Sequence, residues 1–88
     1  MNQLLDVTIV SPYEVLFADK ALSVSSKNSA GPFDVLPQHA NLVTIIENSP
    51  IIIQKENKQK ITFSFPLAIM YITADKLTIY AQIQFPKI

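Results

Sequence analysis

The chain has 88 residues, 49% hydrophobic and 16% charged, a length that holds one core, so a single domain over residues 1–88 is expected. Seven lysines balance seven acids and arginine is absent, which argues against a nucleic-acid binder, whose phosphate and guanine contacts need a basic excess with arginine forks. Cysteine is absent as well, which removes a disulfide frame and a thiolate metal site.

The opening Met-Asn-Gln-Leu-Leu-Asp lacks the basic start and long apolar core of a signal peptide. The longest mainly apolar run, residues 61–72, carries Pro66 and is too short to span a bilayer. A soluble chain is expected, or one attached to something that is not. The apolar fraction fits either a well-packed small β domain or a body that keeps apolar surface for another subunit.

Leu5, Val7 and Ile9 share one parity against Asp6 and Thr8, which predicts a half-buried strand over residues 4–10. Ser11-Pro12 ends it, since proline has no N–H for the ladder. Residues 14–18 predict a second strand, turned by Asp19-Lys20. In residues 21–26, Leu22 and Val24 alternate with serines, and residues 27–30 form a polar turn. Phe33 and Val35 face inward from the next strand, closed by Leu36 before Pro37. Residues 42–46 are β-branched and resume the sheet, and residues 47–50 turn by composition.

Three consecutive isoleucines in residues 51–55 imply a strand at least partly covered on both faces. Residues 56–58 turn into a strand over 60–65, with Ile61, Phe63 and Phe65 alternating with Thr62 and Ser64. Residues 67–73 are apolar on both faces, and periodicity leaves open which parity faces inward. Residues 74–76 turn into a last strand over 77–81. The tail 82–88 contains Pro86 and reads as a frayed end or a covered edge. No window shows a helical stripe. About nine short strands at roughly ten-residue spacing predict an all-β sandwich or barrel.

The most shaped stretch is residues 31–46. The only glycine, Gly31, the only histidine, His39, and the prolines Pro32 and Pro37 fall together there, between apolar runs. Such use of rigid and permissive residues predicts a shaped turn between strands. Phe33, Val35, Leu36, Leu42 and Val43 are expected in the core, and Phe33→Ala should cost about 3–5 kcal/mol if that ring is fully buried. Pro32, Pro37, His39 and Ala40 would hold a stiff loop whose tip docks on a partner, because proline lowers the entropy lost on binding. A second interface candidate is whichever parity of residues 67–72 faces outward.

Chemistry is thinly supplied. A Ser/His39/Asp34 set is compatible with the sequence, since such sets assemble in space, but no serine is bracketed by a glycine that would form an oxyanion site. The acids are scattered singly, which argues against a metal site, and Gly31 alone makes no phosphate-cradling loop. No catalytic residue, metal or cofactor is expected.

The pattern Gly31-x-Phe33-x-Val35-Leu36-Pro37-x-His39-Ala40-x-Leu42-Val43-Thr44 resembles the signature of the ε subunit of F-type ATP synthases (δ in mitochondria), approximately G-x-F-G-I/V-L-P-G-H-A-P-L-V-T. Residues 5–12, with Val15-Leu16-Phe17, resemble that family's first hairpin, and residues 76–81 its closing strand. The match is in register through nearly the whole chain. Asp34 and Gln38 stand where glycine is common, Asn41 where proline is, and Pro32 where an acid is frequent. Phe65-Pro66 replaces a glycine pair. If those glycines supply positive φ, the loops here must bend differently.

The resemblance implies a sandwich of two antiparallel sheets with about ten short strands. It further implies a non-catalytic rotor subunit of the central stalk that clamps the foot of the γ subunit, rests on the c-ring and helps transmit torque. Such a subunit would meet the membrane only indirectly, as part of the complex, on the cytoplasmic side in bacteria or the matrix or stroma side in organelles. The partner-facing loop it implies is Pro32, Pro37, Gln38, His39 and Ala40, with Leu42 in support. Family members usually continue into two C-terminal helices that brake ATP hydrolysis, and these 88 residues carry no counterpart to them. A free-standing β-sandwich module holding a peptide by strand addition is the competing expectation, and an unrecognised hydrolase using His39 a third.

Overall fold

The computed structural model describes residues 3–82. Nine strands form within them: β1 Leu5–Val10, β2 Val15–Ala21, β3 Ser23–Asn28, β4 Gly31–Val35, β5 Leu42–Glu47, β6 Pro50–Gln54, β7 Lys60–Ser64, β8 Leu67–Thr73 and β9 Lys76–Ala81. They make two sheets, ordered β2-β1-β9-β8-β5 and β4-β3-β6-β7. An all-β sandwich is the result. The expected tail over 82–88 lies, past Gln82, outside the described residues.

One pairing departs from two purely antiparallel sheets. β1 and β9, the first and last of these strands, lie side by side and run parallel, from Asp6 opposite Lys76 to Val10 opposite Tyr80. Parallel neighbours need a long crossover, and here the whole intervening chain supplies it. The five-stranded sheet is therefore mixed.

The period of two sorts the side chains. Leu5, Val7 and Ile9 of β1, Leu77 and Ile79 of β9, and Ala68, Met70 and Ile72 of β8 point inward, against Val24, Val35, Ile51 and Ile53 of the other sheet. All are buried, and no polar side chain is buried with them among the described residues. The inward parity of residues 67–72 is thus Ala68, Met70 and Ile72. Of the isoleucine run, Ile51 and Ile53 are buried and Ile52 half-buried.

Two contacts close the long seams between the sheets. On one side the Phe17 ring of β2 meets Phe63 of β7 edge to face, with centroids 5.7 Å apart, and Phe63 stacks on Phe65 at 6.1 Å. On the other side Asn28 Nδ2 donates to Thr44 Oγ1 at 3.0 Å, joining β3 to β5.

Several expected boundaries move. Asp19 and Lys20 do not turn the chain but lie in β2, with Lys20 opposite Asp6 and Asp19 opposite Val7. β2 is an edge strand, where charged side chains reach water, so their polarity does not break the strand. Lys20 Nζ sits 2.5 Å from Asp6 Oδ1, and Lys55 Nζ 2.6 Å from Asp19 Oδ2. Lys27 and Asn28 likewise belong to β3, leaving Ser29-Ala30 as the hairpin tip before Gly31, whose φ of +118° favours glycine. Pro50 opens β6, a strand position that needs no N–H.

The core expectation holds for Val35 and fails for two neighbours. Leu36 is 56% exposed and Val43 62% exposed. Val35 is the last inward residue of β4, so the next residue points out, and Val43 takes the parity opposite to the buried Ile46. Phe33 and Leu42 are half-buried and pack against the core from its margin.

Candidate partner interface

The segment between β4 and β5, residues 36–41, carries the chain from the four-stranded sheet to the five-stranded one. It is a tight turn. His39 N–H donates to the Leu36 carbonyl at 3.2 Å, Pro37 occupies the first central position, and Gln38 the second with φ +68°. Proline first and a positive φ second are the marks of a type II turn. The family pattern places glycine at residue 38; here glutamine adopts the left-handed conformation instead, so the loop keeps the bend that glycine would ease.

Two further contacts hold the loop. His39 Nδ1 lies 2.6 Å from the Ala40 carbonyl, and since a carbonyl only accepts, Nδ1 carries the proton in that contact. The Gln38 N–H donates to Asp75 Oδ1 at 2.6 Å. Asp75 belongs to the β8–β9 turn, whose backbone carbonyl also accepts the Asp6 N–H at 2.8 Å.

The expected site residues are not all together. Pro37, Gln38, His39 and Ala40 share this turn, with Gln38 and Ala40 exposed and Pro37 and His39 half-buried. Leu42 opens β5 with its side chain against the core, a supporting position. Pro32 lies at the other end of β4, paired with Lys27 beside the β3–β4 hairpin. It is not part of the loop. Nor do the pieces of a Ser/His39/Asp34 set meet: Asp34 Oδ1 accepts from Ser25 Oγ at 2.5 Å across the β3–β4 pair, and His39 is turned to Ala40.

The outer face of the five-stranded sheet adds a surface that composition alone did not locate. Register partners place Val15, Val10, Tyr80, Ile69 and Ile45 side by side across all five strands. At about 4.8 Å per strand the row is about 19 Å long. A register shift between Ile9 and Val10 sets Val15, rather than Leu16, opposite Val10 and so completes it. The next row toward the loop is Ala18, Thr8, Thr78, Tyr71 and Val43, and beyond it Lys20, Asp6 and Lys76 stand in register. The face grades from apolar to charged. Val15, Ile45 and Tyr80 are each about half or more exposed. An apolar row of this extent is a mark of an interaction surface. The alternation in β5, β8 and β9 was the signal for it, once the inward parity of β8 is known.

Residues 4–86 match the family described as ATP synthase, Delta/Epsilon chain, beta-sandwich domain. The chain belongs to this family. Among relatives, the ATP synthase epsilon chain of Sulfurovum sp. (strain NBC37-1) is 30% identical over 76 residues, 86% of this chain and 59% of that one. The epsilon chain of Brevibacillus brevis is 28% identical over 76 residues, covering 58% of its length. The chain therefore spans less than two thirds of the length of these relatives. A chain in the Euglena gracilis mitochondrial ATP synthase superposes with a TM-score of 0.82 at 12% identity, covering 89% of this chain and 50% of that one. One in the central stalk and c-ring of the Tetrahymena thermophila enzyme superposes with a TM-score of 0.76 at 13% identity, covering 96% and 67%. At such identities the likeness is one of fold. Within the family, Asp34 and Gln38 replace glycine differently: Gln38 keeps a positive φ, whereas Asp34 sits in regular β4 pairing opposite Ser25.

Proposed function

We propose that the protein is a non-catalytic central-stalk subunit of an F-type ATP synthase. In this role the sandwich clamps the foot of a γ-type subunit, rests on the c-ring and helps carry torque between ring and catalytic head. The observation that carries the reading is the family match over residues 4–86, on a chain whose five-stranded sheet presents an uncovered apolar row. A rotor part needs stiffness. Two sheets stitched at both seams and joined by short turns supply it.

Contact with the partner is assigned to Pro37, Gln38, His39 and Ala40, with Leu36 exposed beside them and Leu42 supporting from below. None of the helices needed to cross a membrane occurs among the described residues; attachment to the membrane would come through the assembled complex. Co-purification at low salt is the test. A stoichiometric complex with a γ-type subunit is expected, and failure to bind any such subunit would sink the stalk reading and leave a free-standing interaction module in its place.

A further inference from the structure

The β8–β9 turn consists of Ala74, with φ +49°, and Asp75, with φ +63°, between the paired Thr73 and Lys76. Two positive φ values in a two-residue hairpin describe a type I′ turn, for which Asn-Gly is the favoured pair. An aspartate thus holds the position where glycine would be free of strain. Turn aspartates commonly bond their own backbone nearby. Asp75 does not. Its Oδ1 accepts the N–H of Gln38, its Oδ2 accepts from Gln3 Nε2, and its carbonyl accepts the N–H of Asp6. Every acceptor of the residue reaches a distant segment.

We propose that Asp75 is the positioning residue of the loop 36–40. Its carboxylate holds Gln38 in the left-handed conformation through a charge-assisted bond to the backbone, and so presents Pro37, His39 and Ala40 in one fixed arrangement. A glutamine at φ +68° has no intrinsic preference for that conformation, so the turn's own closing bond from His39 N–H to the Leu36 carbonyl gains from a second hold outside the turn. The same carboxylate ties the loop, through Gln3, to the segment that leads into β1. The consequence for binding rests on the reading of this loop as partner-facing.

Amide hydrogen exchange at Gln38, followed by NMR in the 88-residue chain, tests the clasp in the absence of any partner. Asp75→Ala should speed exchange at Gln38 by about tenfold to a hundredfold, while amides in β6 and the far part of β8 keep their rates. Asp75→Asn retains an oxygen acceptor at the same place and should recover much of the protection, which general loss of structure would not allow. Affinity for a γ-type subunit should fall at least about fivefold in Asp75→Ala. Unchanged Gln38 exchange in Asp75→Ala overturns the inference whatever happens to binding. If exchange rises while Asp75→Ala binds normally and His39→Ala binds weakly, the positioning role is likewise overturned. If neither variant loses affinity, the partner-facing reading of the loop has failed, and the role built on it falls too.

Discussion

The backbone N–H of Gln38 and the carboxylate of Asp75 meet at 2.6 Å although 37 positions separate them in the chain. Both residues have positive φ. Two strained turns, one from each end of a long excursion between sheets, therefore lean on each other. Strain of this sort persists only where surrounding structure holds it in place, and the bond between the two turns adds to the hold that each turn's own closing contacts provide.

Replacing Gln38 by glycine separates the strain from the bond. Glycine reaches φ near +68° without a Cβ clash and still offers the N–H to Asp75. The relief is partly offset by the greater freedom of glycine in the unfolded chain. Gln38→Gly should raise stability by about 0.5–1 kcal/mol, read from the midpoint of urea unfolding. A drop of the same size would mean that the glutamine side chain contributes contacts that outweigh its backbone cost.

The two parities of β8 should respond oppositely to truncation. Met70 is fully buried between Thr44 and Ile79, its partners on β5 and β9. Met70→Ala should cost about 2–5 kcal/mol, the range for large buried side chains cut to alanine. Ile69→Ala, one residue away on the outer face, should cost about 1 kcal/mol or less, the scale of cross-strand pairs on an open surface. Phe33→Ala belongs between them, at about 1–3 kcal/mol, because the ring is half-buried at the core margin. Thermal or urea unfolding of the three variants checks the order.

Much of the fold could be read from alternation, because burying one face of a strand forces a period of two and the turns between strands are rich in proline, asparagine and serine. Ambiguity lay where both parities are apolar. In residues 67–72, Ala68, Met70 and Ile72 face the second sheet, while Leu67, Ile69 and Tyr71 are as apolar but face out. The same property misplaces Leu36 and Val43 into the core. Asp19-Lys20 misleads in the opposite sense, since an edge strand admits charges that usually mark a turn. The loop 36–40 was legible through Pro37 and the family pattern, but the expectation that a residue other than glycine at position 38 makes the loop bend differently missed that Gln38 takes φ +68° itself. The loop's anchor was not legible. A single aspartate in a hairpin carries no periodic signal, and its partners at positions 3 and 38 are far away in the chain.

The ion pair between Asp19 and Lys55 gives a defined response to acid. The Lys55 ammonium bonded to the Asp19 carboxylate, and then the Lys20 N–H at 2.7 Å, hold the carboxyl of Asp19 below its ordinary value, against a smaller opposing effect of burial. The folded state thus binds this proton less readily than the unfolded state. The contribution to stability is present above the unfolded pKa and is lost as pH falls through the lower, folded value. By NMR, Asp19 should titrate below 3.8 in the parent protein. In Lys55→Ala it should move upward without returning fully, because the Lys20 N–H remains. Both side chains are partly exposed, so added salt should shrink the difference between the two proteins. An Asp19 titration unaffected by Lys55→Ala would show that the pair does not persist in solution.

The row formed by Val15, Val10, Tyr80, Ile69 and Ile45 separates stability from assembly. These side chains contribute little to the core, since their parity faces away from the second sheet. In a stalk subunit they are the surface on which an apolar partner would lie, and a charge at the centre of such a surface would be desolvated without a counter-ion. Ile69→Lys, at the middle of the row between Tyr80 and Ile45, should therefore leave the unfolding midpoint within about 1 kcal/mol of the parent. Binding to a γ-type subunit should weaken at least about tenfold, equivalent to about 1.4 kcal/mol. Lys76→Glu, at the charged margin of the same face, should alter the salt dependence of association more than the affinity itself. Calorimetric titration at two ionic strengths reads both effects, and equal affinity for Ile69→Lys and the parent would move the partner off this face and leave the loop 36–40 as the contact.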